Sequence, residues 1–503
     1  MDTIKLLEKQ AKERGDKPAI IFRDNLISFF QLRDNAFAFA DALRRLGATR
    51  GSKVAVYLPS CPEYAYSYLA IWSIGAIAVP LDFMLTGDEI AECCRHSEAR
   101  VLIIRPKANI SLDNIKAGLL SLAVITCGAE VPGCPALEKL LEGAEKNAPR
   151  SLYREKDYAI IFYTSGTTGS PKGVLINYRQ LSAPPKSMDL FVGGIKDDDI
   201  TLCALPFSHI GGLIYLQNCV SFGLSVVLME RFSPLEFLKN VQQYKVTCFW
   251  IVPSMYYAFL QLKEFETFDL KSLRWIVTFG ASSSPDALRR FHQFCPEAHL
   301  LNGWGLTETN APTVVLPLGS ERIESVGRPA PWIEVKIMDE DGQEVPQGKV
   351  GEVAVKSWVV TDGYYKDPEL TREAIRNGWF HTGDLGRFDA ERNLYIVGRI
   401  KEMIKVSGEI VFEPEVEAAI HKHPEVAEVA VVGVADKLRG EVPMAFIVTK
   451  ENKQIDAEGL RYFLRQHLAH FKIPHYFEFA KELPKNRAGK IDKEILRGRP
   501  LKT

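Results

Sequence analysis

The chain has 503 residues, with Lys+Arg 62 against Asp+Glu 63 and a formal charge of −1. That balance excludes a basic nucleic-acid binder and an acidic disordered tail protein as readings of the whole chain. With 46% hydrophobic and 25% charged residues the composition is that of an ordinary globular protein; at about 100–200 residues per domain, the length implies roughly three folding units, or one large composite and a small one.

The opening segment MDTIKLLEKQAKERGDKPAI has no apolar h-region, so no signal peptide is expected. The nine cysteines are odd in number and show no CxxC spacing. They point to free thiols in a reducing, cytoplasmic setting, not to a disulfide framework or a zinc site. Short apolar runs, KVAVYL (53–58), ARVLII (99–104), YAIIFY (158–163) and RWIVTF (274–279), read as strands. Between them fall amphipathic segments of helical period such as LISFFQLRDNAFAFADALRRLG. Buried strands alternating with helices predict an α/β fold of largely parallel sheets covered on both faces.

Two stretches are long and apolar. Gly75 and Pro80 interrupt 64–81, which predicts a buried helix and then a strand. Pro206, Gln217, Asn218 and Gly223 interrupt 200–229, which predicts loop, helix, turn and the strand SVVLM. Neither is the nearly unbroken apolar helix of about 20 residues that spans a membrane. From about 330 to 398 the texture changes: EVKIMDEDGQEVPQGKVGEVAVKS alternates around DG and QG turn signals, as in antiparallel hairpins or a small barrel. Past GRIKEM a helix opening at Pro414, strands VAEVAVVGV and VPMAFIV, a helix near 456–470 and a basic tail predict a separate α+β unit. The expected division is 1–400 and 401–503.

The segment YTSGTTGSPKG (163–173) carries the chemistry. Its three glycines let backbone amides approach an anion, its hydroxyls add donors and Lys172 adds a mobile charge, which together make a phosphate cradle. It is not a Walker A loop: Pro171 stands where the second glycine is required, and Gly173 follows Lys172 in place of Ser or Thr. Apolar runs on both sides predict a loop that joins two strands and does not open a helix.

YTSGTTGSPKGV resembles the phosphate-loop signature of the adenylate-forming enzymes, which include acyl- and aryl-CoA ligases, luciferases and peptide-synthetase adenylation domains. GWGLTET (303–309), GWFHTGDLG (378–386), GRIKEMIKVSGE (398–409) and NRAGKID (486–492) follow in that family's order, so the resemblance covers essentially the whole chain. It implies a large N-terminal domain of mixed sheets with a small barrel-like part, followed by a small mobile C-terminal domain. The implied reaction joins a carboxylate to the α-phosphorus of ATP, releases pyrophosphate, and passes the acyl group to a thiol.

The resemblance assigns roles residue by residue. Thr164, Ser165, Gly166, Thr167, Thr168, Gly169 and Lys172 would hold the β- and γ-phosphates, and Glu308 with the Thr164 hydroxyl would hold Mg²⁺. Thr307 would meet the α-phosphate. Adenine would lie between Gly280-Ala281-Ser282 and Asn302-Gly303-Trp304-Gly305. Trp304 departs from the tyrosine common in the family; it offers a larger stacking face, or serves as a buried core tryptophan. Asp384 would accept hydrogen bonds from the ribose diol, with Arg399 adding a donor. Lys490 would bridge the attacking carboxylate and the phosphate oxygens, although eight basic against three acidic side chains over 481–503 also suit a solvated tail. Lys401 would be a hinge that swaps the face carrying Lys490 for one carrying Lys405, Ser407 and Gly408, shaped for the CoA arm.

The acid pocket is implied along Phe207, His209, Gly211, Gly212, Trp250, Met255 and Phe279. Those stretches carry no Asp, Glu, Lys or Arg, which argues against an amino acid, since its ammonium would be buried unpaired. Apolar walls, with Gly211 and Gly212 leaving room, suit a fatty, aromatic or alicyclic acid. His209 orients the carboxylate, gates the pocket or is a satisfied structural histidine. Three readings follow: an acid–CoA ligase, an enzyme that passes its acyl-adenylate to a carrier protein or another acceptor, and a non-catalytic nucleotide binder. The absence of an insertion between Lys349 and Lys401 and of a carrier domain after Thr503 favours CoA, and the joint presence of Lys172, Glu308, Asp384, Arg399 and Lys490 favours catalysis. ATP and CoA are thus the expected co-substrates, Mg²⁺ the expected cofactor and a small carboxylic acid the partner.

Overall fold

The structure, a computed structural model, describes residues 2–119, 121–146, 153–164, 172–280, 285–310, 312–407, 409–436, 438–450, 453, 455–485 and 491–499. β1 (Pro18–Phe22) and β2 (Asn25–Ser28) open the chain as a hairpin. β3 (Lys53–Tyr57), β4 (Ile77–Pro80), β5 (Ala99–Ile104), β6 (Ala123–Thr126), β7 (Tyr158–Thr164) and β8 (Lys172–Asn177) form a six-stranded sheet in the order β6-β5-β3-β4-β7-β8. All its pairs are parallel except β7–β8. β9 (Ile200–Cys203), β10 (Ser225–Leu228), β11 (Cys248–Ile251), β12 (Trp275–Thr278), β13 (His299–Trp304), β14 (Val314–Val315) and β15 (Arg328–Pro329) join the first hairpin in a nine-stranded sheet. Its order is β15-β14-β13-β12-β11-β9-β10-β1-β2, parallel from β13 to β1. The predicted apolar runs are strands within a residue or two of their expected ends.

The stretch 200–229 departs from expectation at its start, where a loop was predicted and Ile200–Cys203 is a central strand. Four residues are too few to show a period, and Thr201 masks the apolar run. Its hydroxyl is satisfied by the Cys248 carbonyl at 2.9 Å, so a polar residue sits inside the sheet at little cost.

Between the two sheets lies the helix Pro62–Ser73, with eleven of its twelve residues buried. A helix apolar on every face has nowhere to go but inside. Tyr64, Tyr68 and Trp72 stack along it with centroids 5.2 and 5.1 Å apart. Each finds a partner for its polar atom: Tyr64 donates to the Val56 carbonyl, Tyr68 to that of Phe207 and Trp72 to that of Ala159. Among the described residues no helix is long and apolar enough to cross a membrane.

β16 (Glu334–Met338), β17 (Gly351–Lys356), β18 (Ile375–Arg376), β19 (Trp379–Phe388) and β20 (Leu394–Arg399) make an antiparallel sheet, as the turn signals predict. A single 3₁₀ turn, Ile400–Glu402, leads to β21 (Met403–Val406), β22 (Glu409–Phe412), β23 (Val426–Asp436), β24 (Gly440–Thr449) and β25 (Tyr476–Phe479), which form the last sheet. The helix expected near 456–470 is shorter, Ala457–Leu464, and a separate 3₁₀ turn, His470–Lys472, precedes β25.

This last unit meets the large one where His421, ending the helix Glu413–His421, stacks on Tyr257 of the helix Pro253–Leu260, with centroids 5.5 Å apart and planes 11° apart. Burial there drives the His421 imidazole down to about 4, with Glu428 raising and Lys450 lowering it further. A histidine in water titrates near 6.5, so the unfolded form takes up its proton first as pH falls. The folded state should keep the contribution of the buried neutral ring above pH 6.5 and lose about 3 kcal/mol by pH 4. His421→Phe keeps the stack and removes the proton; thermal unfolding of the variant should lack the loss that the wild type shows across that interval.

Candidate active site

β7 and β8 run antiparallel at the edge of the six-stranded sheet, with Thr164 opposite Lys172. That is the strand–loop–strand setting expected of the phosphate segment. Ser165, Gly166, Thr167, Thr168, Gly169, Ala281, Ser282, Gly408 and Lys490 lie outside the described residues.

β12 and β13 are parallel neighbours with Thr278 beside Asn302, which brings Gly280 alongside Asn302, Gly303 and Trp304 at the C-terminal ends of the strands. Ligands of open α/β sheets bind at this end. Asn302 is buried and donates to the carbonyls of Ile323 and Ser325, so its amide holds the loop 323–325. Gly305, Thr307 and Glu308 follow half-buried on the turn leaving β13.

Asp384 on β19 faces Arg399 on β20 as a cross-strand pair, with Arg399 Nε 2.5 Å from Asp384 Oδ1. Trp304 reaches the same carboxylate from the other sheet, its indole N–H donating to Asp384 Oδ2 at 2.8 Å. Trp304 is packed in an apolar cluster with Val314, Val326 and Ala330, as the core reading has it, and its indole N–H meets Asp384.

Glu308 accepts a hydrogen bond from the Tyr364 hydroxyl at 3.1 Å, and its backbone carbonyl accepts from Thr361 N–H at 2.7 Å. Tyr364 in turn bridges Val174 on β8. Glu308 is thereby tied to the hairpin whose other strand ends at Thr164. Burial pushes the Glu308 carboxyl up, while the Tyr364 hydroxyl and the Arg399 charge pull it back. Sequence motifs did not flag Tyr364; a YY pair after a DG turn carries no chemical signal of its own.

In the acid-pocket candidates, Phe207 is buried against Tyr64, His209 caps the helix Ile210–Phe222, and Met255 is buried. Trp250 stacks on Tyr215, with centroids 3.6 Å apart, and donates its indole N–H to the Gly211 carbonyl at 2.8 Å. A side chain at Gly211 would point at Leu205 and Phe279, consistent with a pocket wall. Gly212 does not leave room for an acid: a Cβ there would lie 2.1 Å from the Pro206 carbonyl oxygen, so the glycine is required by the turn itself.

An acidic group does reach this region from outside the predicted stretches. Asp82, just past β4, places Oδ2 3.1 Å from His209 Nε2 while Oδ1 accepts from Met84 N–H. The available signal was a polar residue at the C-terminal end of a parallel strand.

On the last unit, Lys401 is exposed in the 3₁₀ turn, and Lys405 and Ser407 are exposed where β21 turns into β22. Ser407 adopts φ +51° and donates its N–H to the Arg439 carbonyl at 2.8 Å.

Residues 7–365 match the AMP-binding enzyme family, and residues 415–490 match the AMP-binding enzyme C-terminal domain. The chain belongs to the AMP-binding enzyme family. Over 97% of its length it is 31% identical to the long-chain-fatty-acid–CoA ligase of Bacillus subtilis, of which it covers 92%. Over 99% it is 32% identical to the indoleacetate–CoA ligase of Aromatoleum aromaticum, of which it covers 98%. The crystal structure of the anthranilate CoA ligase AuaEII in complex with anthranoyl-AMP is similar at a TM-score of 0.94 and 28% identity, over 99% of this chain and 96% of that one.

For this AMP-binding enzyme the Glu308–Tyr364 bond gives a direct test. The bond favours the ionised carboxylate, so Tyr364→Phe should raise the pKa of Glu308. The acidic limb of ATP–pyrophosphate exchange should then move to higher pH. An unmoved limb would show that Glu308 ionisation does not govern the step.

Proposed function

We propose that the chain is an ATP-dependent carboxylic acid–CoA ligase acting through an acyl-adenylate. The observation that carries this reading is the convergence of Trp304, Asp384, Arg399, Glu308 and Tyr364 beside the phosphate hairpin. Family membership and the likeness to CoA ligases support it.

In the first step a carboxylate oxygen of the acid attacks the α-phosphorus of ATP. The bond to the bridging oxygen breaks and pyrophosphate leaves with the electron pair. In the second step the CoA thiol adds to the acyl carbon, AMP leaves and the thiol proton passes to solvent. Neither step asks covalent work of the protein; positioning and charge carry the rate. Asp384 would accept from the ribose hydroxyls, Thr307 would donate to the α-phosphate, and Lys172 with the Thr164 hydroxyl would hold the outer phosphates. Glu308 and Thr164 offer the hard oxygen donors that Mg²⁺ takes, and the ion would offset phosphate charge. Lys490 would steady both reacting anions, and rotation about Lys401 would bring Lys405, Ser407 and Gly408 to the acyl group.

The acid itself is fatty, aromatic or alicyclic on this reading. The relatives act on a long-chain fatty acid, indoleacetate and anthranilate, and the walls contributed by Phe207, Trp250, Met255 and Phe279 are apolar. Asp82, which reaches this region, bonds His209 and the Met84 N–H. On this reading His209, held by that bond, would guide the incoming carboxylate.

ATP–pyrophosphate exchange and AMP release over a panel of such acids, with and without CoA, test the reading. Exchange with at least one acid and CoA-dependent thioester are expected. Exchange without CoA acylation would transfer the role to another acceptor, and no exchange with any acid would end the enzyme reading. Lys490→Ala should lose adenylation by about a hundredfold or more while thioester formation from supplied acyl-adenylate persists. Equal loss of both half-reactions would contradict the two-face arrangement.

A further inference from the structure

We propose that Trp304 is a positioning residue for the nucleotide: its indole N–H fixes the Asp384 carboxylate in the orientation that accepts the ribose diol, and so sets the preference for a ribonucleotide. The inference rests on the reading of Asp384 as the ribose acceptor and adds a residue that acts through it.

A carboxylate has two oxygens and about four acceptor positions. At Asp384 two of these are taken inside the protein, one by Trp304 Nε1 on Oδ2 at 2.8 Å and one by Arg399 Nε on Oδ1 at 2.5 Å. One position on each oxygen is left, which is what two neighbouring hydroxyls require. The backbone of Asp384 is held as well, its N–H donating to the Thr382 hydroxyl at 3.1 Å, and that hydroxyl donates to the Val353 carbonyl. With its side chain only 6% exposed, Asp384 has little water to orient it, so the two donors set the carboxylate plane.

Arg399 alone could hold one oxygen and leave the plane free to turn about that bond. Trp304 supplies the second point. Its ring is packed among Val314, Val326 and Ala330, so the donor is already immobile before nucleotide arrives. A phenol carries its hydroxyl at the tip of the ring and an indole carries its N–H on the flank. A tyrosine in this place could stack on a base without meeting Asp384 in the same way.

The test compares ATP, 2′-deoxy-ATP and 3′-deoxy-ATP as substrates for pyrophosphate exchange in the wild type, Trp304→Phe and Asp384→Asn. A hydrogen bond to a charged group predicts that the wild type disfavours each deoxynucleotide by about tenfold or more in kcat/KM. Trp304→Phe, which keeps an aromatic face and removes the donor, should shrink that preference to about two- to threefold, with the loss in KM for ATP and not in KM for the acid. Trp304→His keeps a ring N–H in a smaller ring; it should retain part of the preference, and it serves if the Phe variant does not fold by circular dichroism. If Trp304→Phe slows ATP and both deoxynucleotides by one common factor, Trp304 only packs or stacks and the proposal is overturned. If Asp384→Asn leaves the preference intact, or the wild type has none, the ribose reading of Asp384 fails and the proposal falls with it.

Discussion

The helix Pro62–Ser73 is the constraint on which the arrangement of the large unit depends. It has no solvent face, so both sheets must close on it, and its aromatic ladder bonds to each: Tyr64 to Val56 on β3, Trp72 to Ala159 on β7, and Tyr68 to Phe207 beyond β9. A buried Tyr or Trp left without a partner would cost about 1–3 kcal/mol, so these bonds fix the register of one sheet against the other more firmly than apolar contact alone. The segment after β9 is fixed in the same way, because Ser60 accepts from the Phe207 N–H and donates to the Leu205 carbonyl. Phe207 and His209 therefore take their positions from a helix and a strand end some 140 residues earlier in the chain. The acid-pocket candidates are set by the joint between the sheets before any substrate is present.

Charge follows a similar logic at the nucleotide end. A near-neutral chain can place buried charge only where local partners compensate it. Burial works against the Arg399 guanidinium, yet Asp384 holds it above its ordinary value, and Glu308 and Glu402 contribute to the same effect. Asp384, Glu308 and Arg399 thus form one compensated cluster, with Trp304 and Tyr364 as neutral donors that satisfy the carboxylates without adding charge.

What the sequence made legible was local. Ala99–Ile104 and Tyr158–Thr164 are uninterrupted apolar runs and read correctly as strands; the DG and QG turns announced the β16–β17 hairpin; strands on both flanks identified the phosphate segment as a hairpin loop. Ile200–Cys203 was hidden because four residues show no period. Gly212 was misread because a glycine that admits a ligand and a glycine that admits its own backbone look alike until the Pro206 carbonyl is in view. Asp82 and Tyr364 escaped for a third reason. Each lies in a segment without a motif and gains its role only through a partner far away in the chain, His209 for one and Glu308 for the other. Motifs name residues that touch substrate, whereas the residues that orient them are visible only in the fold.

The same distinction separates what holds the last unit together from what joins it to the large one. Glu413, 1% exposed, accepts from Lys493 and Arg497, and Lys493 also pairs with Glu417, so the short helix Lys493–Arg497 that follows the 486–490 stretch is locked to the helix Glu413–His421. Breaking a buried pair by removing one partner costs about 3–5 kcal/mol. The contacts toward the large unit are of a weaker kind: the Tyr257–His421 stack, and Phe412 against the backbone of Gly398. An aromatic pair contributes about 0.5–1.5 kcal/mol beyond the area it buries. When the two are compared, the stack is the weaker joint and the ionic core of the last unit the stronger.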